Sequence, residues 1–168
     1  MSLIDEVIIA NRIFARDFGR TLGPPPKPRL AVLTCIDPRL SRLDLILGLD
    51  ANDMQVIRNG GPVATEDAMR SLIFSNRVIG TKEILILGHT QCGFFNLRDA
   101  ELSAALKEET GKADGLANGF YSFTDVDEHT RSQVRTARAH PWISASVPIR
   151  GAVLDMETGE LREIGEAR

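Results

Sequence analysis

Leu30-Ala31-Val32-Leu33-Thr34-Cys35-Ile36-Asp37-Pro38-Arg39 and Ile84-Leu85-Ile86-Leu87-Gly88-His89-Thr90-Gln91-Cys92-Gly93 are the stretches that decide how this chain folds. Each begins as a continuous apolar run, Leu30 to Thr34 and Ile84 to Leu87, and then breaks into polar, turn-forming residues. A strand with one wet face would alternate apolar and polar side chains, so an unbroken run of this length reads as a strand buried on both faces. A third run, Met54 to Ile57, lies between them, and a helical pattern follows each strand: Arg39 to Leu47, Thr65 to Ile79 and Asp99 to Glu109. Repeated strand and helix specify an α/β fold, a mostly parallel open sheet flanked by helices. Gly48 and Gly80 stand where helix C-caps belong, and Thr65 and Asp99 where N-caps belong.

Working outward, Ser2 with Asp5 forms a capping-box pattern ahead of Ile4, Val7, Ile8, Phe14 and Phe18, which recur at roughly helical spacing. The sequence predicts an amphipathic helix ending near Gly19, then a stiff spacer, Gly23-Pro24-Pro25-Pro26-Lys27-Pro28. Residues 1–28 thus read as an N-terminal helical arm that contacts another subunit, because they carry almost no groups able to do chemistry. Toward the other end, Gly111 to Thr124 reads as a long surface loop and Val126 to Ala139 as a helix stopped by Pro141. Gly151 to Met156 and Glu160 to Ile164 form a hairpin around Glu157-Thr158-Gly159, adding a C-terminal antiparallel strand to a sheet of order 2-1-3-4. The 168 residues suit a single domain.

Composition narrows the function. With 43% hydrophobic and 26% charged residues the chain has enough apolar content for one packed core. Twenty basic against twenty-three acidic residues, with no basic cluster, argue against nucleic acid as a partner. No apolar run approaches the ~18 residues that cross a bilayer, so no membrane role is expected. Asp5 and Glu6 occupy positions where a secretory signal would be basic and then apolar, which leaves a cytoplasmic location as the expectation. Two cysteines are too few to staple a secreted scaffold, and in a reducing compartment they read as ligands, nucleophiles or core.

In a sheet of order 2-1-3-4 the first and third strands are neighbours whose crossovers leave in opposite directions, and a crevice opens at their carboxyl ends. Cys35, just past the first strand, and His89 with Cys92, just past the third, converge there. Each alone has a bland reading, a small buried hydrophobe or a surface imidazole. Together, two thiolates and an imidazole suit one tetrahedral Zn2+ per chain, with a fourth position left for water as in catalytic sites. Asp37 and Arg39 share a face beside this cluster, and an arginine can grip a carboxylate bidentately and keep it ionised. A fixed carboxylate beside an acidified water can accept its hydrogen bond.

Cys35-x-Asp37-x-Arg39 and His89-x-x-Cys92-Gly93, with Arg58-Asn59-Gly60-Gly61 between them, resemble the β-class carbonic anhydrases, especially small members of that family. The resemblance runs from about Leu30 to the final hairpin, and the amphipathic arm resembles the family's exchanged amino-terminal helix. It implies zinc on Cys35, His89 and Cys92, a catalytic Asp37–Arg39 dyad, and an obligate homodimer, able to pair further, whose partner chain helps wall the pocket. It also implies that Asp37 joins the metal as a fourth ligand only when the site is closed, as happens at lower pH in some relatives. Gly60 and Gly61 are the candidate substrate-binding positions; Gly60 replaces a common alanine, a change compatible with the same close backbone approach. A tryptophan, arginine and tyrosine that bind inhibitory bicarbonate in certain relatives find no match, since Trp142 and Tyr121 are the only residues of their types. His129 and His140 fall among charged residues of the last helix and read as surface groups rather than proton shuttles.

Zinc-dependent reversible hydration of carbon dioxide to bicarbonate and a proton is the leading expectation, with a small-molecule substrate. Hydrolysis of carbonyl sulfide or carbon disulfide on the same zinc site is the alternative that keeps the chemistry. A non-catalytic zinc-binding module, with Asp37 completing a closed four-ligand site, is the alternative that removes it. A cysteine phosphatase loop would need Arg at position 41, where Ser41 stands.

Overall fold

The computed structural model describes residues 2–16, 18, 27–112, 115, 116 and 118–165. Five strands, β1 (Leu30–Cys35), β2 (Met54–Asn59), β3 (Glu83–His89), β4 (Ile149–Leu154) and β5 (Leu161–Ile164), make one sheet in the order β2-β1-β3-β4-β5. β1 pairs in parallel with β2 and β3, β3 in parallel with β4, and only the β4–β5 pair is antiparallel. The mostly parallel open sheet and its closing antiparallel strand are those the sequence specifies. Both faces are covered because both are apolar. On one side Ala31, Leu33, Ile84 and Ile86 pack on Leu72 of α3 (Glu66–Phe74) and Val134 of α5 (Val126–Arg138). On the other Val32 and Leu87 pack with Leu40, Leu43, Met54 and Leu154. Full burial of such side chains contributes about 1.5–3 kcal/mol each, and this supplies most of the sheet's stability.

Local chemistry explains where elements start and stop. The helix expected over Arg39 to Leu47 is broken in two, a 3-10 turn Pro38–Leu40 and the short α2 (Leu43–Leu47). Asp37 is the N-cap of the first piece, its carboxylate accepting the Arg39 N–H at 2.9 Å; that turn ends at Ser41, and α2 begins only after Arg42. Thr65 caps α3 through the Ala68 N–H, and the helix then widens into a π turn, Ser75–Ile79, that closes at Gly80 with φ 92°. The final hairpin turns at Gly159 with φ 75°, while the Asp155 carboxylate accepts from Glu157 and Thr158.

Two expectations are corrected here. Helix α4 (Asp99–Thr110) forms but buries none of its residues, so it does not cover the sheet. Asp99 is not its N-cap: Arg98 holds that position, and the Asp99 carboxylate instead accepts the Phe120 N–H at 2.9 Å, tying the loop to the helix. At the amino terminus the capping box closes α1 (Leu3–Ala15), with Ser2 and Asp5 each accepting the other's N–H. No residue of α1 is buried, and Leu3, Ile4, Val7, Ile8, Ile13 and Phe14 are all exposed. The expected helix end at Gly19, residues 23–26 of the spacer and residues 113, 114 and 117 of the long loop lie outside the described residues. Among the described residues no helix is long and apolar enough to cross a membrane.

Gly88 precedes His89 in β3 and lies directly under α5: a Cβ there would stand 2.5 Å from the Thr130 hydroxyl oxygen and 3.4 Å from Val153 Cγ2. Gly88→Ala is expected to lower unfolding stability by about 1–3 kcal/mol in urea titration. Adding Thr130→Ala should recover part of that loss, since the two residues contend for one space.

Candidate metal centre

Because β1 and β3 are hydrogen-bonded neighbours, their ends lie side by side, and Cys35 and His89 are the last residues of those strands rather than the first residues beyond them. Cys92 is brought back to them by a tight turn in which Gln91 takes a left-handed φ of 55°, an uncommon conformation for a residue with a Cβ. The Thr90 N–H to the Leu154 carbonyl, 2.9 Å, fixes that turn to the neighbouring strand. The three ligand atoms lie within 4.8 Å of one another, and Cys35, His89 and Cys92 are 2%, 1% and 5% exposed.

These residues fit a metal ion. His89 Nδ1–H donates to the Thr90 carbonyl at 2.9 Å, and because a carbonyl can only accept, the proton is on Nδ1 and Nε2 carries a lone pair. Nε2 is buried with no hydrogen-bond partner among the described residues. A buried lone pair without a partner costs free energy unless something fills its place. Next to it the Cys35 and Cys92 sulfurs are 3.8 Å apart. Two thiolates bound tetrahedrally at about 2.3 Å would stand about 3.8 Å apart, so the sulfur pair has the spacing of one edge of such a site. Without a cation the two sulfurs share a proton. Cys35 is pulled well below the ordinary thiol range, first by the hydrogen bond from Cys92 and further by the Gly61 and Asp37 N–H groups, against the opposing effect of burial. Cys92 is driven up by the neighbouring thiolate and by burial.

Asp37 and Arg39 meet as the sequence implies. Arg39 Nε donates to both Asp37 oxygens, at 3.0 and 3.2 Å, and Nη2 to Oδ2 at 2.7 Å. This grip, with the Arg39 N–H, holds the Asp37 carboxyl down at about 2. Asp37 is turned toward the arginine and does not join the cluster of candidate ligands. Arg39 is itself held by Gln91, through its side-chain oxygen at 3.2 Å and its carbonyl at 3.0 Å. Gln91 Nε2 in turn donates to Glu157 at 2.9 Å. Arg58 pins the segment from behind, donating to the Cys35 and Asp37 carbonyls at 2.9 and 2.6 Å.

Gly60 and Gly61 follow Asn59, the residue paired with Cys35 in the β1–β2 register. A Cβ on Gly60 would fall 2.2 Å from Phe94 Cζ, inside the ring's space, so glycine is required unless Phe94 moves. His129 is not a surface group. Its ring stacks on Phe123, centroids 4.2 Å apart, and its Nε2–H donates to the Gly61 carbonyl at 2.5 Å. Burial pushes its imidazole below the ordinary histidine value. His140 lies beyond the helix, which ends at Arg138, and meets Trp142 edge to face. Gln91 stands inside the His89-x-x-Cys92 motif and Arg58 opens the Arg58-Asn59-Gly60-Gly61 segment, so both could be suspected from position. Phe94 and His129 act on backbone atoms far away in sequence, which no local pattern reports.

An open α/β sheet with a buried Cys-His-Cys cluster and an arginine-held aspartate at its strand ends defines a metalloenzyme of the β-carbonic anhydrase kind. Comparison with known proteins agrees: the carbonic anhydrase family model matches residues 30–161. The chain is 34% identical over 164 residues to beta-carbonic anhydrase 1 of Mycobacterium tuberculosis, covering 98% of this chain and 99% of that protein. It is 35% identical over 161 residues to a carbon disulfide hydrolase of Acidithiobacillus thiooxidans, covering 85% and 80% respectively. The crystal structure of a Streptococcus mutans carbonic anhydrase superposes with a TM-score of 0.86 at 36% identity, over 98% of this chain and 99% of that one. The chain belongs to the β-class carbonic anhydrase family of enzymes.

Asp37 has its pKa depressed on folding, so its ionisation stabilises the fold above the ordinary carboxylate range, and that contribution is lost as pH falls through about 2. Asp37→Asn in metal-free protein is therefore expected to cost about 1 kcal/mol between pH 5 and 7, a figure discounted for solvent screening. The difference from wild type in urea unfolding should narrow below about pH 4.

Proposed function

We propose that this enzyme catalyses the reversible hydration of carbon dioxide to bicarbonate and a proton, a lyase reaction, with one zinc ion held by Cys35, His89 and Cys92. The observation that carries the reading is the buried, partnerless Nε2 of His89 beside two sulfurs at tetrahedral-edge spacing. Two soft thiolate donors and one imidazole favour zinc over magnesium or calcium. When bound, zinc supplies a Lewis acid that brings the pKa of a coordinated water to about 7. The chain's own residues do the rest. The Thr90 carbonyl fixes the His89 tautomer, so the ring presents a lone pair and not a proton. Asp37, kept ionised by Arg39, accepts the hydrogen bond of the attacking water and holds its lone pair toward the carbon. Arg39, braced by Gln91, keeps that carboxylate from taking the fourth ligand position. The orientation of Asp37 toward Arg39 argues against a permanently closed, non-catalytic site.

A second reading has a specific support, the 35% identity to a carbon disulfide hydrolase. Carbon disulfide and carbonyl sulfide present the same linear, electrophilic carbon to the same nucleophile, and pocket shape alone separates these substrates from carbon dioxide.

The described body and the 1–28 arm form one domain that works as a homodimer in the cytoplasm. An exposed stripe such as Leu3, Ile4, Val7 and Ile8 marks a surface for a partner, and a second copy of the chain offers that partner.

Stopped-flow hydration with zinc-loaded protein should give a zinc-dependent rate above buffer at alkaline pH; its absence would remove the carbon dioxide reading. Hydrogen sulfide release from carbon disulfide or carbonyl sulfide faster than carbon dioxide turnover would favour the second reading. His89→Ala and Cys92→Ala should lose zinc in metal analysis, whereas Asp37→Ala should keep zinc and turn over about 100-fold more slowly. Val7→Asp combined with Ile8→Asp should shift sedimentation velocity toward monomer.

A further inference from the structure

The turn from Asn59 to Ala64 is held from two sides. Asn59 closes it internally, its Nδ2 donating to the Val63 carbonyl at 2.7 Å and its Oδ1 accepting the Val63 N–H at 2.8 Å. Helix α5 holds it from outside. Gln133 Oε1 accepts the Ala64 N–H at 2.9 Å, and four residues earlier, one turn away on the same face, His129 Nε2–H donates to the Gly61 carbonyl at 2.5 Å.

The Gly61 contact differs in kind from the Ala64 one. Gly61 is buried and has a left-handed φ of 71°, and it precedes Pro62, so its carbonyl is the only hydrogen-bonding group of the Gly61–Pro62 amide. The turn leaves β2 at Asn59, the register partner of Cys35, and the Asn59 carbonyl accepts the Ile36 N–H at 3.0 Å, so the turn is joined to the Cys35 segment. A glycine of positive φ has little intrinsic preference to hold both peptide planes, and an external donor on one plane fixes the direction of the other.

We propose that His129 is a positioning residue for the metal centre: by donating Nε2–H to the Gly61 carbonyl it fixes the turn that leaves Asn59, the strand partner of Cys35. The inference rests on the reading of Cys35, His89 and Cys92 as metal ligands. A turn held at Gly61 keeps Asn59 and the backbone of the paired Cys35 in place, and so fixes the Cys35 sulfur relative to Cys92 and His89. Such outer partners typically change metal affinity by about 10- to 100-fold. The stacking of His129 on Phe123, with rings 16° from parallel, holds the imidazole in the orientation that this donation requires.

The test separates the donor from the ring. His129→Phe keeps an aromatic ring for Phe123 and removes the N–H; His129→Gln removes the ring and keeps an N–H that reaches the carbonyl. His129→Leu, which removes the donor with less bulk, is read in the same way should the Phe variant fail to fold. Zinc release from each loaded full-length protein is followed with a chromogenic chelator. In parallel the near-ultraviolet thiolate-to-metal charge-transfer band is recorded on the cobalt-substituted proteins. Zinc should leave His129→Phe and His129→Leu about 10- to 100-fold faster than wild type, with a shifted cobalt band, while His129→Gln stays within about threefold and keeps the band. Release from the donor-less variants at the wild-type rate would overturn the proposal. So would loss from His129→Gln equal to that from His129→Phe, because ring packing alone would then be responsible. Wild-type protein that takes up no zinc would instead overturn the metal reading itself, and this inference with it.

Discussion

A single hydrogen bond, from His89 Nδ1–H to the Thr90 carbonyl, constrains everything at the centre of this molecule. It assigns the imidazole proton to the outer nitrogen and leaves Nε2 as a bare lone pair in a side chain only 1% exposed. A protein interior does not hold an orphaned acceptor of this kind without compensation, and the two sulfurs next to it stand at the spacing of ligands on one cation. Ring, thiols and backbone are thus arranged for an ion. The sheet around them exists in the form that keeps their three origins together.

That arrangement follows from topology. Parallel strands β1 and β3 can be neighbours only if the chain crosses over between them, and here the crossover carries β2 and α3 out and back. The two crossovers diverge at the strand ends, leaving space where backbone N–H groups and side chains face one another instead of a third element. Charge in that space is organised in layers. Arg58 fixes the backbone of the Cys35 segment, Arg39 takes the Asp37 carboxylate, and Gln91 with Glu157 braces Arg39 from the final hairpin. The dyad is consequently attached to three separate elements, and its orientation is a property of the whole sheet.

Much of this is legible in the sequence because the signals are local. Unbroken apolar runs announce buried strands, Gly48, Gly80 and Thr65 punctuate the helices, and the two metal-ligand motifs stand immediately at the strand ends. The interruption between Leu40 and Leu43 is not legible from periodicity, which reports the apolar face and not where the backbone hydrogen-bond ladder stops. The idle α4 is misread because helical pattern does not state whether a helix touches the sheet. His129 and Phe94 are missed for a deeper reason. What they contact is glycine backbone, 68 residues distant in the case of His129, and backbone atoms leave no mark on composition or spacing.

The central claim is that two thiolates and one imidazole of this chain hold one metal ion. Zinc-edge X-ray absorption of the purified protein tests it most directly, since it reads the atoms around the ion without any assay of turnover. The account predicts one zinc per chain surrounded by two sulfurs at about 2.3 Å and two light atoms at about 2.0–2.1 Å. A shell without sulfur, or with four sulfurs drawn from two chains, would contradict it.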